Sequence, residues 1–239
     1  MKAIFNKELQ SFFSNPVGYL IIASFLVINA LLLWVFKGYS NIIYTGFANI
    51  NAFFNNSSWI FAFLIPAITM KSFADEFSNG TIEILKTLPI SNFKIIMGKF
   101  LGYLTILIIA LLPTLLFVYS TYQLGNPLGN IDLGSTFTSY IGLILLASSY
   151  ISIGLFSSIY TKNNITAFIL SLLINVVLYF VFSALENLSE TSNFGWNTFG
   201  IPQHFESLTR GVIDLTDVFY FLSITFLFLG LTKLQLDHD

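Results

Sequence analysis

The chain has 239 residues, 55% of them hydrophobic and only 9% charged, with a formal net charge of -2 and a mean hydropathy of +0.79. A water-covered domain carries about a quarter of its residues charged, so this composition excludes a soluble globular protein and implies an integral membrane protein. There is no cysteine, which removes disulfide frameworks and thiolate metal sites, and the small net charge gives no reason to expect a nucleic-acid partner.

Residues 1–14 place Phe5, Leu9, Phe12 and Phe13 on one helical face, with Lys2, Lys7 and Glu8 available to headgroups. That pattern predicts an amphipathic elbow helix over 1–16 at the membrane surface, turned into the bilayer at Asn15-Pro16. A signal peptide is disfavoured, because the apolar run from Val17 exceeds a typical h-region and no clean small-x-small cleavage site follows. Crossing about 30 Å of hydrocarbon takes about 20 helical residues. Six windows qualify, at 17–36, 59–73, 100–122, 137–160, 165–185 and 218–231, which predicts an all-α bundle of six transmembrane helices. Lys2, Lys7, Lys71, Lys86, Lys94, Lys99, Lys162 and Lys233 fall on the terminal side, and Lys37 and Arg210 on the other. The positive-inside rule then makes both termini and the 75–99 loop cytoplasmic.

The segment 37–58 is expected outside as an aromatic, Asn-rich connection. Asn56-Ser57-Ser58 and Asn187-Leu188-Ser189 match the glycosylation pattern, a match that chance supplies often. Pro66 and Pro113 predict kinks in spans two and three. Between these spans lies the most informative stretch, DEFSNGTIEILKTLPISNFKIIMGKFLG from Asp75 to Gly102. Gly80 stands as a candidate N-cap with Glu83 at the third helical position, Ile82, Leu85 and Leu88 recur three apart, and Pro89 ends the helix. Ser91 then caps a second helix whose Phe93, Ile96, Met97 and Phe100 form one apolar stripe. An ordinary interfacial loop accounts for this spacing as well as a docking site does.

The fourth span is rich in small residues, including Gly142, Ser148, Ser152, Gly154 and Ser158, so it reads as a tightly packed helix rather than a substrate path. Asn29 in span one and Asn175 in span five read as interhelical hydrogen-bond partners. The last outer segment, 186–217, carries Phe205, Leu208 and Val212 at helical spacing, which predicts a short re-entrant amphipathic helix before Asp214-Leu215-Thr216-Asp217 restarts the final span. His204 with Glu206 makes a weak metal or acid/base pair, more readily read as polar surface. No phosphate loop of the G-x-x-x-x-G-K-[ST] form and no H-E-x-x-H occurs, so neither ATP hydrolysis nor zinc proteolysis is expected of this chain. The span centres hold no ionisable residue, which disfavours ion-coupled transport.

The order Asp75-Glu76, Gly80-Thr81, a short Ile/Leu helix, Leu88-Pro89-Ile90-Ser91 and Gly98-Lys99 resembles the cytoplasmic loop of ABC type-2 exporter permeases. The N-terminal KELQSFFSNPVGYL and the outer His-Phe-Glu, Arg-Gly-Val-Ile-Asp and Tyr-Phe-Leu elements resemble the branch that includes the gliding-motility-associated exporter permease and the nitrous oxide reductase maturation permease. The resemblance implies one permease domain over 1–239 in a bacterial inner membrane. It implies an ABC ATPase partner seated on Glu76, Gly80, Thr81, Glu83, Leu85, Leu88 and Pro89, and an elbow helix carrying Lys7, Glu8, Phe12 and Pro16. It further implies a second permease copy, an auxiliary membrane subunit, and ATP and Mg bound in the ATPase rather than here, this chain holding no cofactor. A non-transporting membrane scaffold remains the alternative from another class.

Overall fold

The computed structural model describes residues 1–87, 89–188 and 195–238, and the side chains of all of these but 84–86 and 197. Helix α1 (Lys2–Ser14) precedes the first span, α2 (Pro16–Ala30), which ends in a π-helical turn, Leu31–Val35. A short α3 (Ile42–Thr45) leads to the second span, made of α4 (Asn51–Thr69) continued by turns into α5 (Ala74–Ser78); α6 (Thr81–Thr87) follows. The third span runs through α7 (Asn92–Leu111), a 3-10 turn Leu112–Thr114 and α8 (Leu115–Leu124). The fourth is α9 (Leu133–Ile159), and the fifth is α10 (Asn164–Val176) with a π-helical turn Val177–Val181 and α11 (Phe182–Leu188). After a 3-10 turn, Trp196–Phe199, come α12 (Ile201–Thr209) and the sixth span, α13 (Leu215–His238). Among the described residues these make six helices long and apolar enough to cross a membrane.

The end of the bundle that carries α1 also carries α5, α6 and the end of α13, because Asn92 Nδ2 donates to Asp237 Oδ1 at 2.7 Å and α1 packs along α7. Helix α9 is the centre, touched by α4, α7, α10, α12 and α13. Its small residues account for that position. A Cβ on Gly154 would collide with Thr69 Oγ1 and lie 2.8 Å from Thr69 Cβ, and one on Gly142 would lie 3.1 Å from Leu208 Cβ. The serines satisfy themselves across the contacts. Ser149 Oγ donates to the Phe221 carbonyl at 3.0 Å, and Ser158 Oγ accepts from the Phe73 and Ala74 amides at 2.6 and 3.2 Å. The tight-packing reading of the fourth span therefore holds.

Several expectations change. The second span starts at Asn51, not at 59, so residues 51–58 are helix rather than outer loop. Phe53 and Phe54 are fully buried, and the polar positions bond across the bundle: Ser57 Oγ to Asn29 Oδ1 at 3.4 Å, and Ser58 with Tyr179 Oη at 2.9 Å. Burial of Ser57 and Ser58 leaves Asn56-Ser57-Ser58 no room as a glycosylation sequon; in the other match, Ser189 lies outside the described residues. Pro66 is carried inside continuous α4, whereas Pro113 sits in the 3-10 turn that separates α7 from α8. Asn175 Nδ2 donates to the Ala62 carbonyl at 3.3 Å, so Asn29 and Asn175 both bond helix to helix as expected, each to α4. The amphipathic helix expected within 186–217 ends at Thr209, and Val212 lies beyond it and is exposed. Its buried face, Ile201, Phe205 and Leu208, is turned onto α9, where Thr138 Oγ1 donates to the Leu208 carbonyl at 2.9 Å.

Because Gly154 meets Thr69 with no slack, Gly154→Ala is expected to lower the melting temperature of the detergent-purified chain, by the equivalent of about 1–3 kcal/mol of overpacking. Adding Thr69→Ala, which removes the colliding hydroxyl, should restore part of the loss.

Candidate functional site

The polar residues of the sequence converge where α1, the α4–α5 junction and the start of α7 meet. Met1 precedes α1, and Asn15 ends it in extended backbone with its side chain accepting from the Val17 amide at 3.0 Å; Pro16 then occupies the first turn of α2, where a missing N–H costs nothing. This fixes α1 against α7. Contact is close because α7 presents two glycines four apart: a Cβ on Gly98 would lie 3.1 Å from the Ile4 side chain, and one on Gly102 3.0 Å from Glu8 Cβ. Between them Lys99 is only 1% exposed.

Its ammonium is fully engaged. Nζ donates to Glu8 Oε1 at 2.9 Å, to Glu76 Oε1 at 2.9 Å and to the Ser72 carbonyl at 2.7 Å, and it lies 4.8 Å from the centre of the Phe73 ring. Glu8 Oε2 accepts from Tyr103 Oη at 2.9 Å, and Lys7 Nζ, half-exposed, reaches Glu76 Oε1 at 2.6 Å. Burial lowers the Lys7 pKa, but the hydrogen bond to Glu76 and the charges of Glu76 and Glu8 outweigh it and leave the value above the usual 10.5. Two ammoniums and two carboxylates thus close a neutral quartet. A buried charge is tolerated only when paired and hydrogen-bonded, and here the pairing comes from three separate segments of chain.

Beyond the quartet the segment turns outward. The amide of Gly80 bonds back to the Phe77 carbonyl and its φ is +68°, so Gly80 closes α5 in the left-handed conformation and, directly before Thr81, also stands at the N-cap position expected of it, with Glu83 third in α6. Helix α6 follows directly, with Thr81 and Glu83 exposed and Ile82 buried. Thr81 Oγ1 donates to the Glu76 carbonyl at 3.3 Å, which ties the first turn of α6 to the quartet. Pro89 is exposed after the helix; the side chain of Leu85 and the whole of Leu88 lie outside the described residues. Asp75 Oδ1 accepts from Asn164 Nδ2 at 2.5 Å, so α5 is also held to the first turn of α10. Ser91 takes the N-cap position of α7 without using its hydroxyl, and Phe93 is 55% exposed, so the buried stripe of α7 begins at Ile95 and Ile96.

Of the residues singled out from sequence, Lys7, Glu8 and Glu76 are brought together, whereas Thr81, Glu83 and Pro89 sit on the surface beside them. Phe12 is half-buried near the elbow, and Pro16 is exposed at the turn. Sequence reasoning missed the pairing of Lys99, as well as Tyr103, Ser72 and Gly102. The glycine pair four apart around a lysine was the available signal.

A second ionic cluster sits at the opposite end. His204 Nδ1 lies 2.6 Å from Asp217 Oδ1, His204 Nε2 lies 2.8 Å from the Thr198 carbonyl, and Ser207 Oγ donates to Asp217 Oδ2. Tyr220 stacks on the imidazole at 3.9 Å between ring centres. Each ring nitrogen lies within hydrogen-bond distance of an oxygen, which holds the ring between Asp217 and the Thr198 carbonyl. Glu206, the expected partner of His204, instead pairs with Arg210 on the surface. Among the described residues no group of three or more His, Cys, Asp or Glu is placed to hold a metal.

Compared with known proteins, the chain matches the family model described as ABC-2 family transporter protein over residues 3–194. No curated relative matches it.

Lys99→Met leaves Glu8 without a cation and Glu76 with Lys7 alone, and should destabilise the chain by about 3–5 kcal/mol, read as a lower melting temperature in detergent. Adding Glu8→Gln and Glu76→Gln should recover most of that loss, and absence of recovery would show that the lysine stem, not its charge, matters. At the other end, His204→Ala leaves Asp217 without its partner and should loosen α12 from α13. Faster trypsin cleavage at Arg210 is the expected readout, and an unchanged rate would count against the pin.

Proposed function

Since the chain belongs to the ABC-2 family of transporter proteins, whose membrane-spanning subunits pair with an ABC ATPase, we propose that α6 is the helix on which that ATPase acts. The observation that carries the reading is the position of α6: it exposes Thr81 and Glu83 while its root is fastened through Glu76 to Lys99, and through Lys99 to α1 and the third span. A force on an exposed helix is useful only if something stiff receives it, and the quartet is such a receiver. In this reading the end bearing α1, α6 and the end of α13 faces the cytoplasm, in keeping with the lysine asymmetry, and α1 is the elbow at the bacterial inner membrane. ATP and Mg are bound by the partner, and its closure moves α6, α1 and the third span as one body.

Two permease copies pair in this proposal. The first and fifth spans support that, since they are the least buried of the six and carry exposed apolar residues such as Leu20, Val27, Ile165 and Leu173. The elbow and outer-segment resemblances favour an exporter of the gliding-motility-associated kind, with an auxiliary membrane subunit beside the pair.

Glu83→Lys reverses an exposed charge without touching the quartet. Co-purification of an ATPase bearing a phosphate loop should fall at least about tenfold, the scale of losing one good charged contact, while the melting temperature of the permease stays unchanged. Undiminished ATPase recruitment and undiminished transport-linked hydrolysis would sink the assignment of α6.

A further inference from the structure

We infer that the cleft between the elbow and the first two spans is a binding site for one anionic phospholipid. The cleft measures about 290 Å3 and lies between α1, α2, the end of α4 and Tyr103 of α7. Phe12, Ile21, Ala67 and Ile68 form apolar walls. Complete small-molecule pockets run from about 300 to 1,000 Å3, so this volume suits a stretch of acyl chain with part of a headgroup and is too small for a whole lipid or a bulky soluble ligand.

The charges at its edge select the headgroup. Glu8 lines the floor, but its two oxygens are already taken by Lys99 and Tyr103, and its charge is neutralised within the quartet. Lys71, at the mouth, is exposed and makes no hydrogen bond or ion pair among the described residues. Ser11 and Asn15 stand on the same rim, with the Asn15 carbonyl oxygen turned to the Val17 amide and its amide nitrogen left free. The unspent groups are therefore an ammonium, an amide N–H2 and a hydroxyl, three donors around an apolar slot. A phosphodiester bearing a net negative charge complements them, and its acyl chain complements the walls. In a six-span membrane protein with the elbow turning at Asn15-Pro16, the neighbour that offers both parts is a lipid of the adjoining leaflet.

This inference goes beyond the coupling reading and stands or falls separately, since no ATPase enters its test. The full chain, purified in mild detergent, is offered equimolar phosphatidylglycerol and phosphatidylcholine, and retained lipid is read by native mass spectrometry. One lysine near an anionic headgroup corresponds to a preference of about fivefold. The wild-type chain should retain one phosphatidylglycerol at about that preference, and Lys71→Ala should equalise the two lipids without changing the melting temperature. Ala67→Trp and Ile21→Trp, which fill the slot from opposite walls, should abolish the retained lipid whichever headgroup it carries; two variants are used so that a folding defect in one does not decide the matter. Equal retention of both lipids by the wild-type chain overturns the inference, as does a preference that survives Lys71→Ala, or lipid retained by a normally melting tryptophan variant.

Discussion

Everything at the α1 end of the bundle depends on where the Lys99 ammonium finds its partners. An isolated ammonium taken from water into a protein interior costs several kcal/mol even after relaxation. Lys99 meets that cost with Glu8 from α1, Glu76 from α5 and the Ser72 carbonyl. None of these can leave without stranding a charge. The attraction is therefore less a source of net stability than a rule of assembly: α1, α5 and α7 are together or the site is broken. The two glycines of α7 ease this approach, because side chains at 98 and 102 would press on Ile4 and Glu8 of α1.

At the other end the same construction recurs with different residues. There α12 is the peripheral helix, Gly142 of α9 is the notch that admits Leu208, and His204 with Asp217 is the ionic pin to a span. Each pin joins a short surface helix to a long one near its end. The middle of the bundle is left to neutral contacts, small residues of α9 and hydroxyl-to-carbonyl bonds such as Ser149 to Phe221. Charges stay near the ends because in hydrocarbon they are expensive at any depth and most expensive at the centre.

What the sequence made legible follows the same division. Composition and hydropathy located six spans, because the cost of exposing polar backbone or charge to lipid is local and can be summed along the chain. The small residues of the fourth span pointed to tight packing because they let helix backbones approach closely. Boundaries failed where tertiary contacts override local polarity: residues 51–58 look like a loop until Asn29 and Tyr179 supply partners for Ser57 and Ser58. Pairings failed for a related reason. Lys99 lies 91 residues from Glu8 and 23 from Glu76, and His204 bonds to Asp217, 13 residues away, rather than to nearby Glu206. Nothing local encodes those choices. Gly80 has two roles at once, closing α5 with a φ of +68° and standing directly before α6, and only the second was legible from its spacing to Glu83.

A bundle pinned at both ends by ion pairs and joined in the middle by small residues has a definite mechanical character. The pins are bistable in the sense that a buried pair is either made or broken, with little stable ground between, whereas the neutral contacts along α9 tolerate small sliding. Under the coupling proposal, a displacement applied to α6 would reach α1 and the third span through Glu76 and Lys99. The first and fifth spans are the least buried, and they are held to α4 by Asn29 in the one and by Asn175 and Tyr179 in the other. Each of these spans carries a π-helical turn one position after the residue that follows its asparagine, at Leu31–Val35 and Val177–Val181. A π turn weakens the regular hydrogen-bond ladder locally, and in the fifth span Tyr179, inside that turn, is itself bonded to Ser58 of α4, so the turn is held to the bundle where its own ladder is weakest.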